Sequence, residues 1–190
     1  SYLVVRRDSA IQTIADLQDK RLVINDPDSY SGNHALWAHW AKLEHAPRFA
    51  SVVESGAHSN SLRMVANGEA DVAAIDCTVF DYWLKTDKPE MQAALSQLHT
   101  IEQINPAPTP PLVLHQSVHQ SVNATTTATI RQALLDLNQS DWLERCKQAG
   151  LNGLVVASDQ DYDFMRNSYK LSTHFTADAL NPLSASKHSA

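Results

Sequence analysis

Cysteine is nearly absent: Cys77 and Cys146 are the two in 190 residues. No C-x-x-C or comparable ligand spacing exists, which excludes the usual cysteine-based metal sites. A disulfide between the two is open to the chain, but nothing in the sequence calls for it. Long apolar runs are missing as well. None reaches the roughly 18 residues a membrane span needs, and no secretory leader pattern is present. Basic charge is in deficit, with 15 Lys and Arg against 21 Asp and Glu, a formal net charge of −6. A nucleic-acid surface needs clustered cations against phosphate, so that class of partner is excluded. Net charge does not exclude an anion site, because local dipoles and neutral donors decide one.

What is present is globular. Hydrophobic residues make up 43% and charged residues 19%, a balance that folds. The length suits one large domain or one and a half small ones. The chain opens directly on an apolar strand, Tyr2-Leu3-Val4-Val5, as a fragment or a mature protein cut within its fold would.

Strand and helix patterns alternate from there. Tyr2–Arg6, Arg21–Asn25, Ser51–Glu54 and Asp71–Ile75 read as strands, and so does Leu112–His115. Ile11–Leu17, with Ser9 as its cap, reads as a short helix, and Asn33–Leu43 as a helix with Leu36, Trp37, Trp40 and Leu43 on one face. Ser59–Asn67 is a helix closed by Gly68, the residue expected just past a C-terminus. Val79–Leu84, Met91–Leu98, Thr126–Leu137 and Asp141–Ala149 complete the helical set. Ser158-Asp159-Gln160-Asp161 fits a capping box for a last helix through about Tyr169, and the polar residues beyond it predict a flexible tail over 171–190. The run Asn105-Pro106-Ala107-Pro108-Thr109-Pro110-Pro111 is stiff and extended and breaks helix and sheet alike. It marks a crossover between structural units. The alternation predicts an α/β fold with a mixed, mostly parallel sheet and flanking helices.

In such sheets ligands sit beyond the carboxyl ends of strands. Three polar turns fall there: Asp28–Asn33, Gly56–Ser59 and Asp76–Thr78. The first, Ser29-Tyr30-Ser31-Gly32-Asn33, lies between an apolar strand and a helix. Unpaired N–H groups and the helix dipole favour an anion at that place, and two hydroxyls add neutral donors. An ordinary N-cap is the simpler account of Ser29, and Asp76 equally fits a cap for the helix after it.

At this point the residues resemble a known family. Asp16-Leu17, Lys20-Arg21, a strand, Asp26-Pro27 and Ser29-x-Ser31-Gly32 recur in it, followed by Gly56-x-His58, Leu62, Val65 and Gly68-x-x-Asp71-Val72-Ala73-Ala74-Ile75-Asp76. The pattern is similar to that of the phosphate/phosphonate-binding proteins of bacterial ABC importers, with the type II periplasmic binding fold, over about residues 1–170. The resemblance implies two lobes closing on an oxyanion. Residues 1–16 would belong to the first lobe and hinge, 17–105 to a complete second lobe, and 106–170 to a return to the first lobe, which would lack its N-terminal partner strands. It implies ligand contacts from Ser29, Tyr30, Ser31, Gly32 and Asn33, from His58 and from Asp76, with no metal and no cofactor. It implies a membrane permease as partner and a periplasmic or extracytoplasmic location, membrane-associated in some forms. Tyr30 stands where threonine is common, so its backbone N–H rather than its hydroxyl would serve. Asp19 replaces a common glycine, which is tolerable because Asp enters left-handed conformations readily.

Asp76 beside an anion makes sense in two ways. It accepts a proton from a P–OH group, or it pairs with an amine on the ligand. A sensory domain of the same fold is the alternative within binding proteins. A small hydrolase using Cys77 as nucleophile and His58 as base is the alternative from another class, although no oxyanion pair or orienting third residue accompanies it. His115 and His119 are four apart, but no third metal ligand is evident, and His34, His39 and His45 have the wrong spacing for a helical metal pair. Trp37, Trp40 and Trp83 read as core or hinge-packing residues.

Overall fold

The computed structural model describes residues 1–44, 46–115, 117, 123–148 and 150–179, the last six and Gln148 by backbone alone. Two compact units result. One holds residues 1–107 and the segment from Asp163 onward; the other holds residues 108–162. His45 and His119 lie outside the described residues.

The first unit is built on five strands: β1 (Tyr2–Arg6), β2 (Lys20–Ile24), β3 (Phe49–Glu54), β4 (Val72–Ile75) and β5 (Leu98–Gln103). Their order is β3-β2-β4-β1-β5. β2 runs parallel to β3 and β4, whereas β1 runs antiparallel to β4 and β5. The sheet is therefore mixed, with the antiparallel share due entirely to β1. All four residues of β4 are buried, as a strand covered on both faces requires. Side chains alternate between the two faces. Val4, Val23, Ala73 and Ile75 meet Leu62, Val65, Met91 and Leu95, which come from α2 (His58–Ala66) and α4 (Pro89–Ser96). Leu3, Val5, Leu22, Ile24 and Ala74 meet Leu36, Trp37 and Trp40 of α1 (Ala35–Trp40) on the other face. Trp37 and Trp40 are thus core residues, while Trp83 lies partly buried in α3 (Cys77–Leu84).

Local departures from the sequence expectations have local causes. The first helix shrinks to a 3-10 turn, Ile14–Leu17, because the Asp16 carboxylate accepts from the amides of Gln12 and Thr13 and from the Thr13 hydroxyl. Thr13, not Ser9, stands at its cap. The helix expected from Asn33 opens three residues earlier as a wide turn and stops at Trp40. Leu98 ends no helix; it starts β5, an edge strand whose mixed residues hide its alternation. Asp19 has φ +58° and Gly68 φ +75°, the left-handed backbone expected of both.

In the second unit, α5 (Ala124–Asp136) buries none of its residues, and α6 (Asp141–Gln148) comes after a short 3-10 turn. Asn138 braces the segment beyond it, its amide bonding both the N–H and the C=O of Leu154. Leu112–His115 forms no strand, because no described strand offers it a ladder; Val113 is 80% exposed. Cys77 and Cys146 are free thiols.

The last helix, α7 (Asp163–Ala179), belongs with the sheet unit and continues well past Tyr169. The flexible tail expected from residue 171 is thus helical to Ala179, and residues 180–190 lie outside the described ones. The reason is the kind of residue it buries. Ser168 and Ser172 are 2% and 0% exposed, so the packed face reads as polar in the sequence.

Leu22, fully buried between β2 and α1, should cost about 2–5 kcal/mol on replacement by alanine, read as a lower urea midpoint at unchanged slope. Burial also holds His34, His39 and His58 below the ordinary histidine value. The unfolded chain takes up protons near pH 6.5 and the folded chain only at lower pH. Stability is therefore complete above about 6.5 and declines as pH falls toward the folded values. Equal urea midpoints at pH 7.5 and 5.5 would contradict this.

Candidate functional site

The three polar turns predicted beyond strand ends all lie in the sheet unit. Beyond β2, the Asp26 carboxylate accepts from the Asp28 amide at 2.7 Å and starts the reversal. Ser29 then organises the turn that leads into α1. Its Oγ accepts from the Gly32 amide at 3.1 Å, and its carbonyl accepts from the amides of Asn33 and His34 at 3.2 and 3.0 Å. The Ala35 amide reaches back to the Tyr30 carbonyl. An i→i+5 turn is wider than an α-helical one and is often found at functional sites. This bonding occupies the amides of Gly32 and Asn33 and leaves those of Tyr30 and Ser31 outside it.

Glycine at position 32 lets the turn pass close to two side chains. A Cβ there would stand 1.6 Å from Asn25 Oδ1 and 3.0 Å from His58 Cε1. The turn therefore rests directly on the end of β2 and on the first residue of α2. Asn33 is buried and its amide is engaged at both ends, donating to the Pro27 carbonyl at 2.6 Å and accepting from Trp37 Nε1 at 2.7 Å. Its side chain ties the turn to α1.

His58 opens α2 two residues after Gly56, whose φ of +78° gives the chain its bend. Its Nε2 lies 3.1 Å from Ser31 Oγ. Burial lowers the His58 pKa against the opposing pull of Asp76, so the ring is neutral at pH 7. Asp76 caps α3, with Oδ1 accepting from the Thr78 amide at 2.9 Å and the Thr78 hydroxyl at 2.6 Å. It also faces Ser31 and His58. Burial pushes the Asp76 carboxyl up, but the Thr78 hydrogen bonds, with Ser31 and His58 close by, outweigh it and hold it below the usual range. Which of Ser31 Oγ and His58 Nε2 donates depends on the tautomer of the ring. His58 Nδ1 is buried without a partner.

Ser31, Gly32, His58 and Asp76 are thus together. Ser29 is spent on the turn itself, and the Tyr30 side chain leaves the group, its hydroxyl turned toward Ser168 of α7. Neither ring nitrogen of His58 bonds the half-buried Cys77. Two residues that the sequence reading placed in a turn and a strand were not read as part of the site. Thr78 could have been read from its place two residues after a capping Asp. Asn25, whose buried Oδ1 lacks a hydrogen-bond partner, has no sequence signature, since its position matters only through the glycine above it.

Comparison with known proteins bears on this arrangement. A family model described as the periplasmic substrate-binding protein of the phosphonate ABC transporter matches residues 1–162. No curated protein matches. Among solved structures, a binding protein component of an ABC phosphonate transporter from Pseudomonas aeruginosa superposes with TM-score 0.73 at 19% identity, over 95% of this chain and 59% of that one. PhnD1 from Prochlorococcus marinus, in complex with methylphosphonate, gives TM-score 0.68 at 16% identity, over 89% and 65%. A Xanthomonas citri protein bound to ATP gives 0.62 at 15%, over 95% and 67%. The chain thus spans about three fifths to two thirds of the length of these structures, and at such identities they establish the α/β periplasmic-binding fold of type II. By the family match, which runs through most of its length, the chain belongs to the phosphonate-type periplasmic substrate-binding proteins of ABC transporters.

Proposed function

We propose that this chain captures an oxyanion of the phosphate class (phosphate, phosphite or a phosphonate) at the turn Ser29–Asn33, with His58 and Asp76 on the far side of Ser31. The observation that carries the proposal is the meeting of Ser31, His58 and Asp76 from three separate strand-end turns. The amides of Tyr30 and Ser31 and the Ser31 hydroxyl supply neutral donors where the dipole of the adjoining helix favours negative charge. His58 is neutral without ligand, and an anion beside it favours its charged form. Asp76 serves as acceptor, for a P–OH proton or for an ammonium group on the ligand. Methylphosphonate in PhnD1 supports the ligand class. No residue needs to form or break a covalent bond, so the role is capture without catalysis, with delivery to a membrane permease outside the cytoplasm. Among the described residues no helix is long and apolar enough to cross a membrane.

Calorimetry with methylphosphonate, phosphite, phosphate and aminoethylphosphonate tests the ligand class, and no heat with any of the four would sink it. Ser31→Ala should weaken binding by about 1–3 kcal/mol, the loss of a buried hydrogen bond to a charged group; unchanged affinity removes Ser31 from the site. Asp76→Asn separates the two acceptor roles. Loss confined to aminoethylphosphonate marks an amine partner, and loss with methylphosphonate marks a P–OH acceptor.

An anion that raises the His58 pKa must bind together with a proton. Affinity for methylphosphonate should therefore increase as pH falls from 8 toward 6, with net proton uptake when two buffers of different ionisation enthalpy are compared. His58→Gln should abolish the uptake, and uptake that survives in that variant would assign it elsewhere.

A further inference from the structure

The same turn has a second side, which the ligand does not use. Two of its residues, Tyr30 and His34, point away from His58 and Asp76 and into α7. His34 is 8% exposed, and its Nδ1 lies 2.8 Å from Oγ of Ser172, itself fully buried. Ser172 Oγ donates to the Tyr169 carbonyl at 2.7 Å, so it accepts from His34 Nδ1–H. The Tyr169 ring lies against the His34 imidazole, with centroids 4.5 Å apart. The Tyr30 hydroxyl is buried and faces Ser168 without meeting hydrogen-bond geometry. A third contact lies one helix further on, where Lys42 Nζ stands 5.4 Å from the centre of the Phe164 ring.

These contacts are not general packing. The residues between Ser29 and Ala35 alternate in role: Ser31 and Gly32 face the ligand side, while Tyr30 and His34 face α7. Among the described side chains of α7 the buried ones are serines, which contribute hydrogen bonds and little apolar area, so the join depends on specific partners. His34 Nε2 is buried with no partner, which leaves the Nδ1 bond to Ser172 as the imidazole's hydrogen-bond link to its surroundings.

We propose that α7 is a latch on the oxyanion turn: His34, held by Ser172 and Tyr169, and Tyr30, seated against Ser168, are positioning residues that fix the amides of Tyr30 and Ser31. The link to ligand affinity rests on the oxyanion function proposed above, whereas the mechanical coupling of turn and helix does not.

Hydrogen exchange read by mass spectrometry on the full chain tests the coupling without any ligand. His34→Leu removes the donor, and exchange in segments 29–35 and 163–173 should rise together, by about tenfold, with β4 unchanged. His34→Asn keeps a donor near the place of Nδ1 and should restore most of the protection. A rise confined to α7 overturns the latch, as does a rise that His34→Asn leaves unrescued. Should His34→Leu unfold the chain, Ser172→Ala decides by the same comparison of the two segments. Methylphosphonate titration forms the second arm. Where the unaltered protein binds it, Ser172→Ala should weaken binding about tenfold through misplacement of the turn; a turn that exchanges faster yet binds with unchanged Kd overturns the positioning role. Failure of the unaltered protein to bind overturns the oxyanion function alone, and the exchange result still decides the coupling.

Discussion

The close approach of Gly32 to Asn25 and His58 is the constraint on which the site rests. A side chain at that position would meet the Asn25 amide and the His58 ring, and those side chains would have to move aside. Movement of the His58 ring would disturb its contact with Ser31. The wide i→i+5 turn spends Ser29 on its own amides, and the buried Asn33 amide ties it to Trp37 and so to the core. Asp76 does two tasks with one carboxylate, capping α3 through Thr78 and facing Ser31 with its remaining acceptor capacity.

The electrostatics of the site are local. The chain carries a net negative charge, and a carboxylate stands within the group proposed to receive an anion. Donors here are hydroxyls and amides, whose dipoles cost no net charge and need no counterion when the site is empty. A neutral histidine fits the same logic, since it adds charge only once an anion is present. In the proposed site such donors and acceptors would favour ligands whose protons and lone pairs complement them.

Much of this was legible in the chain. The continuous apolar runs Leu22–Ile24 and Val72–Ile75 marked two strands, and such runs suit strands covered on both faces. Gly68 and Asp19 announced their left-handed backbone by residue type. The strand-end turns stood out because polar groups came directly after apolar runs. Other features were hidden for physical reasons. β5 is an edge strand with one buried flank, so Thr100 and Glu102 interrupt its pattern. α7 packs through Ser168 and Ser172, and a hydrophobicity count sees such a face as solvent. The direction of the Tyr30 side chain depends on that packing and so was invisible too. Leu112–His115 misled in the opposite sense, since β-branched and apolar residues make a strand only when a neighbour supplies the ladder.

The position of β1 has a consequence for how the sheet unit comes into being on the ribosome. β1 sits between β4 and β5, so its two neighbours come from the far end of the first hundred residues. At synthesis rates of about 5–20 residues per second, it waits on the order of 5–20 s before both are available. Until then at least one of its edges is unpaired, an open template for any passing strand. Such non-local closure makes folding slow relative to helical proteins of the same size. Closure of the sheet is therefore tied to where one five-residue segment lies in the order of strands, with no reference to the oxyanion site at all.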